Sequence, residues 1–364
     1  MAARLWSLSG FDMFGTFYKS DVEVLLKDIT GLVEPQPASV REPLIQSGVH
    51  YSEMLPVEYV PTDEYMKLFE DALERYAVIT AEAVVKVATK IYEAKRSNVV
   101  LVSLARAGIP VGVLIKRCLR SVYGTDVPHY AISIIRGKGI DGNALNYILS
   151  RHAASSIQFV DGWTGKGAIQ KELARSLEDY PQIDSGLAVL SDPANVASLC
   201  GTHEDFLIAS SCLNSTVSGL LSRTFLREDV IGPADYHGAA FYKDLMTSDL
   251  TYRFIDTIIN HMQEIQAKTC TESEAVLTRS GLDEVEEIAE RFGIRDINLI
   301  KPGIGEATRV LLRRMPWKIL VNSLEDDSHL GHLYQLAKEK GVDVEIYPLK
   351  NYKACGLIKE MADC

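Results

Sequence analysis

The sequence predicts a doubly wound, mostly parallel α/β core that is followed by a smaller three-layer α/β/α domain. Short apolar runs rich in β-branched residues recur between residues 99 and 209, and the connections between them are long enough to form helices. This alternation is typical of a parallel sheet that is buried on both faces. A second, more compact alternation of helices and strands occupies residues 281–362. A chain of 364 residues is also too long for one ordinary hydrophobic core.

The first two segments differ in pattern. Frequent prolines predict an irregular N-terminal arm over residues 1–60. In the core domain, residues 61–267, the segment 61–63 is predicted to start a helix, and helical spacing runs from about 66 to 94. The core strands are predicted at 99–103, 130–135, 157–160, 187–190 and 206–209, and a helix over 249–267 ends the domain.

Residues 268–364 are predicted to form the separate second domain, after a linker at 268–273. Its first helix, 281–292, has Ser280 as the N-cap and Gly293 as the C-cap. The elements that follow are predicted as strand 297–300, helix 305–315, strand 318–321, helix 329–340, strand 342–347 and a last helix near 351–362.

The composition predicts a cytoplasmic protein. The net charge of −11 argues against charge-driven binding to duplex DNA. The six cysteines form no CxxC pair, so neither a zinc site nor a disulfide framework is expected, and a reducing compartment is the natural one. The N-terminus has no sustained apolar run, and no stretch approaches the roughly 18–20 apolar residues of a membrane helix. We therefore expect no membrane partner.

A glycine-rich turn follows the strand at 157–160 and precedes a helix predicted at 168–177. Glycines let a backbone approach a ligand closely, and the N–H groups of such a turn favour an anion. Asp161, at the end of the strand, is suited to hold sugar hydroxyls or a metal-bound water. The predicted phosphate site comprises Asp161, Gly162, Thr164, Gly165, Lys166 and Gly167. An ordinary strand–turn–helix junction is the alternative interpretation.

Two further loops carry cations beside small residues. After the first core strand, Arg106, Ala107 and Gly108 form a turn suited to offer a guanidinium and backbone N–H groups to a diphosphate. After the second strand, Arg136 and Lys138 lie in a glycine-rich segment. The family resemblance described next implies that Arg136 and Lys138 neutralise a departing pyrophosphate, and a basic surface turn is the alternative interpretation.

Five segments together resemble the phosphoribosyltransferase-like proteins of bacterial tellurite-resistance (Ter) stress gene clusters, some of which carry the label cysteine protease. The segments are IQSGVHYSEMLP, SLARAGIPVG, IIRGKGID, VDGWTGKGAI and SCLNSTVSGLLSRT. The resemblance covers nearly the whole chain and implies a core of the type I phosphoribosyltransferase kind, whose loops converge at the switch point of the sheet. It implies that Asp161 orients a ribose and holds Mg²⁺ indirectly, that residues 164–167 hold a 5′-phosphate, and that Arg106 and Gly108 contact the leaving diphosphate.

We therefore expect an enzyme that transfers a ribosyl group from phosphoribosyl pyrophosphate (PRPP), or a related compound, to a nucleobase-like acceptor with release of pyrophosphate. Asp161, Arg136 and Lys138 are its predicted catalytic residues, and Mg²⁺ is its predicted cofactor. Asp161 stands alone where the family has two adjacent acids, so a nucleotide-sensing or RNA-binding protein without turnover is the first alternative. Type I relatives are commonly dimers, which implies a homodimer.

A cysteine hydrolase is the second alternative. A cysteine nucleophile needs a base within hydrogen-bond reach, so this alternative requires Cys212 and His237 to meet in space. No recognisable protease signature surrounds Cys212 or Cys200.

Several polar residues outside these loops have two interpretations. His50, Tyr51 and Glu53 in the N-terminal arm either contact the acceptor or form a packed turn. Asn214 follows the fifth predicted strand at the same sheet edge, and His237 is suited to act as an acid or a base.

The segment 301–309 of the second domain is similar to the RNA-contacting loop and helix of the Pelota and kink-turn-binding fold. Gly303, Glu306, Thr308 and Arg309 match that pattern, whereas Gly305 replaces the asparagine that reads a base. The cations of this region are Lys301, Arg309, Arg313, Arg314 and Lys318. They predict a structured RNA partner, with a solvated helix face as the alternative.

Overall fold

The computed structural model describes residues 14–265 and 280–359. The helices in these ranges are α1 (Ala38–Gln46), α2 (Asp63–Lys95), α3 (Gly108–Tyr123), α4 (Gly142–Leu149), α5 (Ala168–Ser176), α6 (Thr251–Ile265), α7 (Gly281–Phe292), α8 (Ile304–Arg313) and α9 (Asp327–Lys340). The strands are β1 (Glu23–Val24), β2 (Lys27–Asp28), β3 (Val100–Ala105), β4 (His129–Ile135), β5 (Gly139–Ile140), β6 (Ile157–Val160), β7 (Leu187–Ser191), β8 (Leu199–Thr202), β9 (Gly238–Ala239), β10 (Ile300–Pro302), β11 (Pro316–Val321), β12 (Asp343–Ile346) and β13 (Ala354–Ile358).

The main sheet has the strand order β1-β4-β3-β6-β7-β8, and β5 pairs with β4 as a seventh strand. Every pairing along that order is parallel, and only the β4–β5 pair is antiparallel. Strands β4 and β7 are buried at every position, as expected for a sheet covered on both faces. Helices α2, α3 and α6 cover one face, and α4 and α5 cover the other. The predicted doubly wound fold is therefore confirmed.

Helix α2 is the longest element of the core domain. The negative charges of Asp63 and Glu64 in its first turn interact favourably with the positive end of the helix dipole. The helix ends at Lys95. The helix buries thirteen residues, including Phe69 and Ile91, along the face that packs on α6 and on the edge of the sheet. Each fully buried large side chain contributes roughly 1.5–3 kcal/mol of transfer free energy.

The second domain contains a four-stranded sheet in the order β10-β13-β11-β12. Strands β11 and β12 are parallel, whereas β13 is antiparallel to both of its neighbours. Helix α7 packs on one face of this sheet, and α8 and α9 pack on the other. This arrangement confirms the predicted three-layer domain. Across the described ranges, no helix is long and apolar enough to cross a membrane.

Two predicted elements are wrong. Residues 206–209 do not form a strand: they run into a single 3₁₀ turn, Ala209–Ser211, and the edge of the main sheet is β8 instead. The last helix, predicted near 351–362, is replaced by β13, which occupies an inner position of the second sheet. Hydrogen bonding to β10 on one side and β11 on the other decides this outcome. The linker predicted at 268–273 lies outside the described residues.

The two domains are packed against each other through a shared core. One apolar cluster contains Phe206 of the core domain together with Ile304 and Leu333 of the second domain. Between the domains, the buried carboxylate of Asp205 accepts hydrogen bonds from the backbone N–H groups of Ile304, at 3.0 Å, and Lys353, at 2.9 Å. The second domain therefore lies directly over the carboxyl edge of the main sheet.

Candidate functional site

Asp161 follows β6 at the carboxyl edge of the main sheet, as predicted. Its carboxylate accepts a hydrogen bond from the Gly162 N–H at 2.8 Å. Burial raises the pKa of this carboxyl group to about 7, and the hydrogen bond from Gly162 only partly opposes that effect. Asp161 is therefore suited to exchange a proton near neutral pH.

The rest of the predicted phosphate turn is engaged by protein groups. The Thr164 hydroxyl donates to Asp192 Oδ1 at 2.5 Å, and the Gly165 carbonyl accepts from the Tyr352 hydroxyl at 2.7 Å. Lys166 Nζ donates to two carbonyl oxygens just before and within β10. Gly167 is the N-cap of α5 and has φ +79°, a backbone conformation that favours glycine. The second domain thus holds the turn that the sequence assigns to a phosphate.

The loop at 106–108 lies beside this turn, as expected from the parallel sheet. A Cβ atom on Gly108 would lie 2.5 Å from the Val160 carbonyl oxygen, so the two loops touch through their backbones. Ala107 connects Gly108 to Arg106 in the chain. Arg106 Nη1 donates to the Leu221 carbonyl at 2.7 Å and lies 3.7 Å from a Glu58 carboxylate oxygen.

The N-terminal arm meets the loop that follows β4. His50 Nε2 lies 3.0 Å from the Arg136 carbonyl, and the Tyr51 hydroxyl accepts from the Arg136 N–H at 3.0 Å. Glu53 Oε1 lies 3.9 Å from Lys138 Nζ. The structure therefore brings together two groups of residues that the sequence analysis treated separately.

Two cavities lie between the core domain and the second domain. One is lined by Thr164, Gly303 and Glu306 among others. The other is lined by Arg106, Asn214 and Arg309 among others. Trp163 and Ser211 border both cavities, so the two cavities are adjacent.

The residues predicted to bind RNA lie along this interface. Gly303 approaches the Asp205 side chain, Lys301 is half-buried, and Arg309 Nη1 pairs with Glu306 Oε1 at 3.0 Å. Arg313 is the last residue of α8. The loop faces the core domain rather than open solvent, because Ile304 is bound to Asp205.

The pairing of Cys212 with His237, which the hydrolase alternative requires, is not what the structure shows. Cys212 is buried in the apolar cluster that α2 covers. His237 Nδ1 lies 2.9 Å from Ser133 Oγ, and the backbone N–H of His237 donates to Asp141 Oδ2 at 2.6 Å. That form of the hydrolase alternative does not hold, because the apolar segment 206–213 packs into the core instead of projecting from a sheet edge.

A different cysteine and histidine do meet. Cys200 Sγ lies 3.6 Å from His203 Nε2, and the other ring nitrogen, Nδ1, lies 2.9 Å from the Asp192 carbonyl oxygen. An Asp192 carboxylate oxygen is 3.9 Å from the same Nδ1. The sequence analysis missed this group, although the spacing Cys-x-x-His at the end of a strand was visible.

The remaining described cysteines are less suited to be nucleophiles. Burial raises the pKa of the Cys118 thiol to about 12. Burial also raises the pKa of Cys355, which lies within β13. A thiol with a raised pKa is a poor source of thiolate. Cys200 is therefore the candidate with an adjacent base.

Family models match both parts of the chain. Residues 15–259 match the family described as tellurite-like stress resistance cysteine protease StiP. Residues 279–360 match the PELOTA RNA binding domain. Both resemblances noted in the sequence are thus confirmed at the level of the family.

A relative and several solved structures are similar to the chain. "Cysteine protease StiP" of Acinetobacter baylyi is 37% identical, over 99% of this chain and 97% of that protein. The xanthine-guanine-hypoxanthine phosphoribosyltransferase of Helicobacter pylori is 15% identical over 37% of this chain and 77% of its own, with a TM-score of 0.23. A hypothetical protein from Neisseria gonorrhoeae with bound ppGpp is 16% identical over 39% of this chain and 74% of its own, also with a TM-score of 0.23.

These findings correct the predicted activity. The family and the relative that spans the whole chain are both described as a cysteine protease, and the similarity to phosphoribosyltransferases is too weak to carry an argument about activity. The prediction of a ribosyl transfer from PRPP is therefore wrong, and the hydrolase alternative is the better supported one. The chain belongs to the family of the tellurite-like stress resistance cysteine protease StiP, and it carries a C-terminal PELOTA domain.

Proposed function

We propose that this protein is a cysteine hydrolase that cleaves peptide bonds, with Cys200 as the nucleophile and His203 as the general base. The observation that carries the proposal is the 3.6 Å distance between Cys200 Sγ and His203 Nε2. A nucleophilic cysteine requires such a base within reach. The names of the family and of the whole-length relative support the same reaction class.

The second ring nitrogen of His203 supports the role of a base. Nδ1–H donates to the Asp192 carbonyl at 2.9 Å, which fixes the tautomer and leaves Nε2 unprotonated toward the sulfur. Asp192 is itself held by the Thr164 hydroxyl and by the N–H groups of Val196 and Ala197. The imidazole of His203 is thus oriented by the backbone carbonyl of Asp192, a residue that is fully buried.

The reaction follows from these positions. Nε2 takes the thiol proton, the thiolate attacks the carbonyl carbon of a peptide bond, and the imidazolium gives the proton to the leaving amine as a thioester forms. Water then loses a proton to the same imidazole and hydrolyses the thioester, which restores the thiol. Cys200 is only 5% exposed, whereas the His203 side chain is 23% exposed, so the substrate is expected to approach from the side of the histidine.

Substitution of Cys200 tests the proposal. We expect Cys200→Ala to reduce cleavage of a peptide library at least 10³-fold, measured as new termini by mass spectrometry, because removal of a nucleophile leaves only residual catalysis. Cys212→Ala, at another buried cysteine, is the matched control and should cleave like the wild type. No cleavage by the folded wild type, or equal loss in both variants, would contradict the proposal.

The same three residues require a test for metal. Ligand atoms of Asp192, Cys200 and His203 all lie within 4.8 Å of one another, a spacing that also suits a metal ion. A thiol hydrolase should keep its activity in EDTA and lose it after alkylation with iodoacetamide. Loss of activity in EDTA with recovery on addition of Zn²⁺ would overturn the role of Cys200 as nucleophile. Mg²⁺, expected from the resemblance, stays a prediction.

Thr164 is proposed as a positioning residue for this pair. Its hydroxyl holds Asp192, which in turn orients His203. We expect Thr164→Val to lower kcat about tenfold with little change in KM, and Thr164→Ser to restore kcat. A change in KM alone would instead indicate that Thr164 contacts the substrate, since Thr164 lines the interdomain cavity that Gly303 and Glu306 also border.

A further inference from the structure

The turn between β7 and β8 contains three consecutive carbonyl oxygens with different partners. The carbonyl oxygen of Asp192 lies 2.9 Å from His203 Nδ1. The next two carbonyl oxygens, those of Pro193 and Ala194, accept hydrogen bonds from the second domain. Both of these residues are buried, and a buried carbonyl group that loses its donor destabilises the conformation that holds it. The second domain therefore fixes the backbone directly next to the group that orients the imidazole.

Two groups of the second domain supply these hydrogen bonds. Asn351 Nδ2 donates to the Pro193 carbonyl at 3.0 Å, and the N–H of Gly281, at the start of α7, donates to the Ala194 carbonyl at 2.8 Å. Helix α7 also holds Asn351 itself, because the buried carboxylate of Glu284 accepts a hydrogen bond from the Asn351 N–H at 2.8 Å. The two donors to the turn thus belong to one connected part of the second domain.

The two residues that follow this asparagine contact other segments of the core domain. The Tyr352 hydroxyl donates to the Gly165 carbonyl at 2.7 Å, and the Lys353 N–H donates to the Asp205 carboxylate at 2.9 Å. Asp205 comes two residues after His203 in the chain. The second domain therefore holds the chain that follows the base as well as the turn that orients it.

We propose that the second domain is part of the hydrolase site, with Asn351 as a positioning residue for His203. The Asn351 amide holds the turn that contains Asp192, and the Asp192 carbonyl oxygen orients the imidazole. Peptide cleavage then requires the docked second domain, and undocking stops it without a chemical change of Cys200. This inference rests on the proposed hydrolase, because it concerns the same base. A misdirected imidazole removes the thiol proton poorly, although a substrate still binds.

The test compares the loss of this contact with a matched loss elsewhere in the domain interface. Asn351→Asp keeps the size of the side chain and removes the donor to Pro193. We expect its kcat to fall about tenfold with little change in KM, measured on a peptide that the wild type cleaves. Asn351→Ala removes the same donor without adding a charge. It should lower kcat by a similar factor, and it replaces Asn351→Asp if that variant fails to fold.

Tyr65→Phe is the control. It removes the hydrogen bond of 2.8 Å from the Tyr65 hydroxyl of α2 to the Leu312 carbonyl of α8, which joins the same two domains away from the turn, and it should keep the wild-type kcat.

Two measurements that do not depend on turnover complete the test. The N–H groups of Val196 and Ala197 donate to the Asp192 carboxylate, so their amide exchange reports on the order of the turn. Exchange should be faster in the Asn351 variants and unchanged in the control. Alkylation of Cys200 by iodoacetamide at constant pH should also be slower in the Asn351 variants, because a displaced imidazole no longer promotes formation of the thiolate.

The possible failures are distinguishable. A wild-type kcat in both Asn351 variants overturns this inference alone, because the hydrolase then works without the contact. An equal loss of kcat in Tyr65→Phe overturns the role of Asn351, since any loosening of the interface then has the same effect. A raised KM with an unchanged kcat overturns it as well, because Asn351 then acts on substrate binding. No cleavage by the folded wild type overturns the proposed hydrolase and this inference with it.

Discussion

At the scale of single residues, Asp161 shows how burial sets the chemistry of a side chain. The carboxyl group follows a fully buried strand, β6, and among the described residues the backbone N–H of Gly162 offsets part of its desolvation. Its pKa is therefore about 7, far above that of a carboxyl group in water. Ionisation of the Asp161 carboxyl group at the sheet edge therefore lowers the free energy of unfolding of the protein.

This cost predicts a pH-dependent effect of Asp161→Asn. Because the folded-state pKa is raised, the wild type loses stability as the pH rises from about 4 to about 7. Above pH 7 the penalty reaches at most about 4 kcal/mol. We expect the variant to unfold at a higher Tm than the wild type at pH 8 and at a similar Tm at pH 4. Exposed Asp179→Asn is the control. A Tm difference that does not change with pH would contradict the raised pKa.

At the scale of elements, the position of Cys200 depends on how closely β8 approaches α2. A Cβ atom on Gly201 would lie 2.3 Å from the Ala83 carbonyl oxygen of that helix. Only glycine permits this backbone contact. Since Gly201 follows Cys200 directly, the same contact determines the position of the thiol relative to His203.

Gly201→Ala should therefore weaken both the fold and the site. Overpacking against backbone costs about 1–3 kcal/mol, which a urea titration would measure as a lower midpoint. Displacement of β8 should also slow alkylation of Cys200 at constant pH. Gly165→Ala is a matched control, because a Cβ atom there meets no atom within 4 Å. If Gly201→Ala unfolds like the wild type, the close packing of β8 on α2 is not what holds the thiol in place.

At the scale of the whole molecule, Asp205 joins the two domains. Its carboxylate accepts hydrogen bonds from the backbone N–H of Ile304 at the start of α8 and from the backbone N–H of Lys353 just before β13. The segments that it holds border the cavity that contains Gly303 and Glu306. An RNA that uses the PELOTA loop would therefore have to compete with this contact.

Asp205→Ala should loosen the second domain without unfolding the core. The loss of an acceptor for two buried N–H groups costs about 1–3 kcal/mol for each group. We expect faster amide exchange at Ile304 and Lys353 and stronger binding of a kink-turn RNA by the full chain. Asp179→Ala, at an exposed site, should change neither measurement. Unchanged exchange at both amides would show that the shared apolar cluster alone holds the domains together.

The candidate site was only partly predictable. The loops at Asp161, Arg106 and Arg136 were placed correctly at one sheet edge because glycines and cations after apolar strands form a local pattern, whereas their roles in binding phosphate stay predictions. The pair of Cys200 and His203 was missed because its strand, 199–202, is short and carries little hydrophobic signal. Cys212 was considered as the nucleophile of the hydrolase alternative because it follows a stronger apolar run. The structure buries that run in the core.

The sequence by itself determined the fold class, the elements with strong periodicity and the membership of the family. Helix 281–292 was predicted with its bounds, since caps and periodicity are local properties of the chain. Only the tertiary structure decided that 354–358 is a strand, that the second domain covers the glycine-rich turn, and that Asn351 holds the turn next to Asp192. These outcomes depend on which surfaces pack together, and that free energy comes from contacts between residues far apart in the sequence.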